Sequence, residues 1–506
     1  MKQYLLGVDI GTSACKVALF SADGQVVSQA LKDYNVYYPA PSHVEQDPDE
    51  WYQAVCHAIK ECLASAKLDP RAIAGVGVDG QSWSAIPVNK AGKVLARTPI
   101  WMDTRAAQIA EKTLQRVGFE RIFDVSGNGF EPTYSTPKML WFKEHQPDVY
   151  RQVHRFLQSN SWIAYRLTGV MSQDKSQGYG VHAFDMKTGV WDEKLCEELG
   201  IEREHLPEIS ACDQVIGTIT AKAAAETGLT VGTPVVAGGL DAACGTLGAG
   251  VIRRGQVQEQ GGQAGGMSIC MDTAQAHPKL ILSFHVLPDL WLLQGGTVGG
   301  GGALRWFRRE LGAAEELVAK ATGVSTFEAL GREAAKVAPG ADGVIFLPYM
   351  AGERSPIWDR NAKGVFYGLS YASTRAHMVR AVLEGSAFTL EHNLRTSAET
   401  GVTVNELVAM GGAANSEIWT QIKSDITGKR ISVPSSDTAT TLGAAILAGI
   451  GTGFYKSYEE AVAATIRITR VHEPDLENHA RYQPVYQLFR EVYESLKETM
   501  RKQAEV

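Results

Sequence analysis

The sequence predicts an α/β protein of two domains, and three observations carry that expectation. Apolar runs of strand length alternate with segments of helical periodicity along the chain. At 506 residues the chain exceeds one compact core, whereas two domains of roughly 200–250 residues fit the usual range. A strand, a Gly-rich turn and a second strand open the chain at residues 4–20, and the same order returns at residues 256–271. The residues of the two hairpins barely match, so the echo is one of architecture and not a sequence repeat. On this reading one domain covers residues 1–245 and the other 246–506, with no low-complexity linker between them and a cleft expected where they pack.

The elements follow in order. Residues 4–9 and 15–20 read as strands around Gly11-Thr12-Ser13, and Ala22-Asp23-Gly24-Gln25 is a hairpin turn leading to a third strand at Val26. Asp49 to Ala66 has helical spacing with Pro48 just before it, where a missing N–H costs nothing. Ile73 to Val78 reads as a short buried strand that ends at Asp79-Gly80-Gln81. Thr233 to Ala237 is a strand running into Gly238-Gly239-Leu240-Asp241. In the second half, Gln256–Gln260 and Met267–Met271 flank the turn Gly261–Gly266. Two strand–turn–helix units come later, with Gly299–Gly302 before a helix at Ala303–Leu311 and Gly411-Gly412-Ala413-Ala414-Asn415 before a helix at Glu417–Thr427.

Composition excludes several classes. Apolar residues make up 44% and charged residues 21%, which is ordinary for a globular protein. The net charge of −7 offers no basic field for nucleic acid. The first apolar run is short and broken by Asp9, unlike a signal peptide, and no run reaches the roughly 18 apolar residues of a membrane span. The seven cysteines are scattered and never spaced as CxxC, which points to free thiols in a reducing cytoplasm rather than disulfides or zinc.

The Gly turns carry the chemistry. In Asp9-Ile10-Gly11-Thr12-Ser13 a bare backbone, successive N–H groups and two hydroxyls can cradle phosphate, and Asp9 can hold Mg²⁺ through water. An ordinary Gly hairpin is the alternative. Gly261–Gly266 is a second, less hydroxylated phosphate loop, and no GxxxxGK[ST] occurs. Gly411-Gly412 and Asn415 precede a helix N-terminus, where a flat base or ribose could pack, unless this too is a plain turn. Asp241, at a strand's carboxyl end, suits a general base for an attacking hydroxyl, and as an Asp it also suits a helix N-cap. Gln81-Ser82-Trp83 and Trp101-Met102-Asp103-Thr104-Arg105 set polar groups beside indole planes, as a sugar's hydroxyl edges and CH faces require; core packing is the alternative for either tryptophan.

In this order, these elements resemble the FGGY family of carbohydrate kinases, within the actin/Hsp70 ATPase superfamily, over roughly residues 4–490. The most specific match is Gly364-Val365-Phe366-Tyr367-Gly368-Leu369 followed by His377 to Glu384. Lys138-Met139-Leu140-Trp141, Gly239-Leu240-Asp241, Gly352-Glu353-Arg354-Ser355-Pro356 and Gly411-Gly412-Ala413 support it. The resemblance implies two ribonuclease-H-like domains flanking a deep catalytic cleft, with sugar mostly on the first and ATP·Mg²⁺ mostly on the second. It implies Asp241 as catalytic base, with Asp9 and Asp241 near the metal. It implies nucleotide contacts from Gly11, Thr12, Ser13, Lys16, Gly262, Gln263, Gly301, Gly302, Gly411, Gly412 and Asn415. The sugar pocket is expected from Gln81, Ser82, Trp83, Asp103 and Asp241, with Trp101 and Thr133 nearby and Asp103 as the main fixed acceptor.

Two departures bear on substrate and phosphate. Xylulose-phosphorylating members typically carry Met-His where this chain has Ser82-Trp83, and the second loop reads Gly262-Gln263-Ala264 instead of Gly-Thr-Ser or Gly-Thr-Gly. General likeness, including Gln46-Asp47-Pro48 to Trp51, still leans toward those members. The expected reaction is transfer of the ATP γ-phosphate to a primary hydroxyl of D-xylulose. Ribulose, glycerol and gluconate remain open as acceptors, and an actin-like ATPase switch is the rival outside metabolism. No nucleic-acid or membrane partner is expected; a homodimer is left open.

Overall fold

The computed structural model describes residues 3–435 and 438–503. The first half holds strands β1 (Tyr4–Ile10), β2 (Ala14–Ser21) and β3 (Val26–Asp33), helix α1 (Pro48–Ala66), strand β4 (Ile73–Gly80), helix α2 (Ser135–His145), strands β5 (Val215–Thr218) and β6 (Pro234–Val236), and helix α3 (Asp241–Gly248). The second half holds β7 (Gln256–Gly261), β8 (Gly265–Met271), β9 (Trp291–Thr297), α4 (Gly301–Leu311), α5 (Thr326–Ala334), α6 (Arg375–Ala398), β10 (Glu406–Met410), α7 (Glu417–Thr427), β11 (Arg430–Pro434), α8 (Ala439–Gly451) and β12 (Ile468–His472). Two compact units result. Unit 1 comprises Met1–Ile252, Cys270–Leu292 and Thr438–Arg467, and unit 2 comprises Arg253–Ile269, Leu293–Asp437 and Ile468–Val506. Each unit is therefore discontinuous in sequence.

In unit 1 the sheet runs β5-β6-β4-β1-β2-β3. The β1–β2 and β2–β3 pairs are antiparallel, whereas β4 runs parallel to β1 and β6 parallel to β4. Every residue of β4 is buried, as expected of a central strand covered on both faces. Helix α1 forms because Asp47 caps it, accepting from the Asp49 N–H at 2.9 Å, Pro48 starts it, and Trp51, Val55, Ile59 and Cys62 repeat on one face. That face packs on Leu6, Val17 and Leu19 of the sheet. Helix α8 also packs on β1, β4 and α3. The approach is close enough that a methyl group on Gly77 would overlap the Ala444 carbonyl, and one on Gly443 would overlap the Cys244 carbonyl.

Unit 2 repeats the pairing scheme. Its sheet runs β9-β8-β7-β10-β11-β12. The β7–β8 pair is antiparallel, β10 lies parallel to β7, β11 parallel to β10, and β12 antiparallel to β11. This matches β1–β2, β4, β6 and β5 in turn, so the echo of the two Gly hairpins extends to both sheets. The core of unit 2 gathers Phe346, Val382, Phe388, Trp419, Ile422 and Phe489.

Candidate active site

In unit 1, three carboxylates meet at strand ends. The parallel register places Asp9 of β1 beside Asp79 of β4, and Asp241 is the first residue of α3. Leu240, not Asp241, occupies the N-cap; Asp241 Oδ1 instead accepts from the Ala242 N–H at 2.6 Å. The N-cap alternative for Asp241 is thereby removed. Burial, then the charge of Asp9, pushes the Asp241 carboxyl up to about 7. Burial pushes Asp9 up to about 6, opposed by the neighbouring Asp79 carboxyl and the positive charge of Lys16. Lys16 stands opposite Asp9 in the β1–β2 register. Asp79 is held well above the usual carboxylate range by burial and by the charge of Asp9, and both of its oxygens are buried without a hydrogen-bond partner among the described residues.

The loop after β1 is held by its carbonyls. Gly11 closes the turn on Ala14 O, and the Gly11 carbonyl accepts from Tyr34 and Gln81 at 2.5 and 3.3 Å. The Thr12 carbonyl accepts from Gln46 Nε2 at 2.8 Å, and its hydroxyl from Trp101 Nε1 at 2.9 Å. No backbone acceptor occurs for the Thr12 and Ser13 N–H groups among the described residues, and Ser13 is exposed. These are the donors a phosphate cradle needs.

The expected sugar residues divide into those left accessible and those consumed. Ser82, Thr133 and Asp241 are half-buried, and Trp83 is buried at the edge of the same segment. Gln81 ties the phosphate loop to its surroundings through Gly11 O and Gln46 Oε1, leaving its own Oε1 buried without a donor. Trp101 is bound to the Thr12 hydroxyl. Asp103 differs from expectation. It is fully buried and accepts from the Val44 N–H at 2.6 Å and from Arg105 Nε and the Arg105 backbone at 2.9 and 3.0 Å. Its oxygens serve the packing of the Trp101–Arg105 turn and are not free as the main acceptor for sugar hydroxyls.

Sequence reasoning missed three neighbours. Asp79 carries the same signal as Asp9 and Asp241, a carboxylate at a strand's carboxyl end. Tyr179 and Tyr134, which pack on Trp83, come from separate segments that only the fold brings together.

In unit 2 the Gly turns converge. A cavity of about 860 Å³ is lined by Gly262, Gly301, Gly412 and Asn415, together with apolar Leu304, Phe327 and Ile418. Its size is that of a pocket for a nucleotide-sized ligand. The loops are joined by hydrogen bonds from Gly301 N to Gly262 O and from Gly302 N to Gln263 O, both 2.9 Å. Gly411 lies behind the cavity, packed on the Gly261 carbonyl. Behind the loops, Lys423 of α7 and Glu259 of β7 form a buried ion pair at 2.6 Å that fixes helix to strand. The floor from α5 (Phe327, Glu328, Gly331) had no sequence signal beyond amphipathic spacing.

A divalent cation fits the carboxylate end of unit 1 in chemistry: hard oxygen donors, buried and repelling one another. Among the described residues no three His, Cys, Asp or Glu side chains are arranged to hold a metal by themselves. Mg²⁺ brought with a nucleotide's phosphates, and needing only one or two carboxylates, is the form that fits.

Comparison with known proteins agrees with this layout. The model for the N-terminal domain of the FGGY family of carbohydrate kinases matches residues 4–248, and that for the C-terminal domain residues 268–452. The chain is 31% identical to the xylulose kinase of Escherichia coli (strain K12), covering 97% of this chain and 99% of that protein. It is 30% identical to the gluconokinase of Bacillus subtilis (strain 168), covering 97% and 95%. A crystal structure of ligand-bound xylulose kinase from Lactobacillus acidophilus superposes with a TM-score of 0.90 at 26% identity over 99% of both chains.

Proposed function

The chain belongs to the FGGY family of carbohydrate kinases and is an ATP-dependent sugar kinase, and from that premise we propose that its acceptor is an uncharged five-carbon sugar, D-xylulose first. One observation carries the choice of a neutral acceptor. Two basic side chains that could meet a carboxylate, Arg105 of the Trp101–Arg105 turn and Lys138 beside Trp83, are both spent. Arg105 is 2% exposed at its side chain and paired with Asp103 and Glu45 at 2.8 Å each. Lys138 is fully buried, donates to the Trp83 and Ile100 carbonyls at 2.8 and 2.7 Å, and is pushed down to about 7 by burial. A gluconate carboxylate would find no partner at either.

In this reading unit 1 binds the sugar and unit 2 the adenosine of the nucleotide, both units being ribonuclease-H-like. The shared order of an antiparallel Gly hairpin, two parallel strands and a last antiparallel strand supports that. Asp241 takes the proton of the acceptor's primary hydroxyl as its oxygen bonds to the γ-phosphorus; the bond to the bridging oxygen breaks and ADP leaves. A carboxyl pushed up to about 7 suits a base working near neutral pH. Thr12 and Ser13 N–H groups, with Lys16 beside Asp9, meet phosphate oxygens. The cavity of unit 2 takes adenosine, its apolar side against Leu304, Phe327 and Ile418. Mg²⁺ would be held by Asp9 and Asp241 and would neutralise phosphate charge. A cytoplasmic location belongs to the same proposal, supported by seven unbonded, buried cysteines; no helix among the described residues is long and apolar enough to cross a membrane.

A coupled ADP-release assay over D-xylulose, D-ribulose, pentitols, glycerol and gluconate tests the proposal. ADP release is expected to depend on added sugar, with kcat/KM highest for D-xylulose. A preference for gluconate or glycerol over every ketopentose and pentitol overturns the acceptor, and release independent of any sugar favours an ATPase switch.

A further inference from the structure

Beside the Ser82–Trp83 segment stands a residue that the mechanism above does not use. Tyr179 is 2% exposed. Its hydroxyl lies 3.2 Å from Ser82 Oγ. The buried Trp83 Nε1 has no hydrogen-bond partner among the described residues. The Tyr179 ring stands edge-on to Trp83 at 6.0 Å and to Tyr134 at 6.2 Å, while Trp83 and Tyr134 stack at 4.2 Å. Asp241 is close enough for its charge to act on the Tyr179 hydroxyl.

This wall is held under constraint. Trp83 has φ 62°, a left-handed conformation that bulky residues rarely adopt and that clusters at functional sites. Lys138 fixes the turn by donating to the Trp83 carbonyl at 2.8 Å. Gly180, next to Tyr179, leaves little room for a side chain: a Cβ there would lie 3.2 Å from the Trp83 ring and 3.0 Å from Ser135 Oγ, so those groups would have to give way slightly.

We infer that Tyr179 is a positioning residue that sets acceptor specificity, its hydroxyl fixing Ser82 and its ring fixing Trp83 as one wall beside Asp241. The inference rests on the sugar-kinase reading and names the acceptor's shape within it. The wall sets the Ser82 and Tyr179 hydroxyls and the Trp83 N–H among three packed rings, and none of its four side chains, Ser82, Trp83, Tyr134 and Tyr179, is charged. Such a surface matches a short neutral ketose or polyol whose CH edge lies along the rings. The volume of the phenol ring is what a longer, six-carbon acceptor would need.

The test measures acceptor kinetics of Tyr179→Phe and Tyr179→Ala against five- and six-carbon ketoses and polyols, with ATP KM and thermal melting as controls. For Tyr179→Phe, KM for the best acceptor is expected to rise about tenfold, with a smaller fall in kcat and unchanged ATP KM. For Tyr179→Ala, kcat/KM for six-carbon over five-carbon acceptors is expected to rise at least tenfold. A folded Tyr179→Phe protein with acceptor KM within twofold of wild type overturns the inference, as does a Tyr179→Ala protein that loses all acceptors in equal proportion. If Tyr179→Ala does not fold, Tyr179→Phe decides alone. If the wild-type enzyme prefers an acceptor other than a ketopentose, the proposed substrate fails, and the Tyr179 comparison is read on that preferred acceptor.

Discussion

Asp241 sits at the start of α3 with one oxygen fixed by the Ala242 N–H, which leaves the other to face an acceptor hydroxyl. Replacing it with Asn keeps the shape and removes the base. Asp241→Asn is expected to lower kcat by about 10²–10⁴. Acceptor-induced thermal stabilisation should persist, and near-normal turnover would remove Asp241 from its role. Glu353 offers a separate pH test in unit 2. Its Oε1 accepts from the Val298 and Arg354 N–H groups at 2.6 and 2.8 Å, its Oε2 has no donor, and burial pushes the carboxyl from 4.5 up to about 7. The folded state thus binds this proton more tightly than the unfolded state. The stability gained is full below about 4.5 and is lost as pH rises through about 7. Glu353→Gln removes that titration, so its melting temperature relative to wild type is expected to climb by a few degrees between pH 5 and pH 8. A difference that stays flat over that range would contradict the sign. Asp103 shows the limit of reading single residues. Its type and motif suggested a sugar ligand, but the neighbouring Arg105 and Val44 take its oxygens, and a motif does not reveal that competition.

Helices position these groups through close backbone contact. Helix α8 lies against β1, β4 and α3, and α3 begins with Asp241. Gly443 meets the Cys244 carbonyl on α3 with no space for a methyl group. Gly443→Ala is therefore expected to destabilise the protein by about 1–3 kcal/mol, the usual cost of overpacking, and more where only backbone can yield. Because the displaced helix carries Asp241, kcat should fall along with stability; urea denaturation and steady-state kinetics on one preparation check both. Wild-type stability in this variant would mean that the two helices have slack. Helix boundaries themselves were largely legible. Glu417–Thr427 has the bounds read from sequence, and α4 starts at Gly301, two residues before Ala303. The early start follows from hydrogen bonding of Gly301 and Gly302 N–H groups to the second loop, a contact distant in sequence.

Over the whole chain, the two ligands should protect separate segments. Hydrogen exchange with a non-hydrolysable ATP analogue is expected to slow in residues 261–262, 301–305, 325–332 and 412–419, which line the unit 2 cavity. With the acceptor sugar, slowing is expected around Gln81–Trp83 and Tyr179 in unit 1. Nucleotide protection confined to unit 1 would remove adenosine from the cavity. Unit 1 also holds Thr438–Arg467, which rejoin it after most of unit 2. Nothing local in that Gly- and Ala-rich stretch marks the return.

The sequence by itself determined the alternation of strands and helices, the paired Gly hairpins, Asp9 and Asp241, and the glycines that line the cavity. These follow from periodicity, turn chemistry and motif, which are local properties of a chain. Tertiary structure alone decided that Asp79 lies buried beside Asp9, that Arg105 and Lys138 are spent, that Tyr179 bonds Ser82 and stands edge-on to Trp83, and that α8 belongs with unit 1. Each of those depends on partners far apart in sequence. Burial and competition for hydrogen bonds arise only when the chain has closed around them.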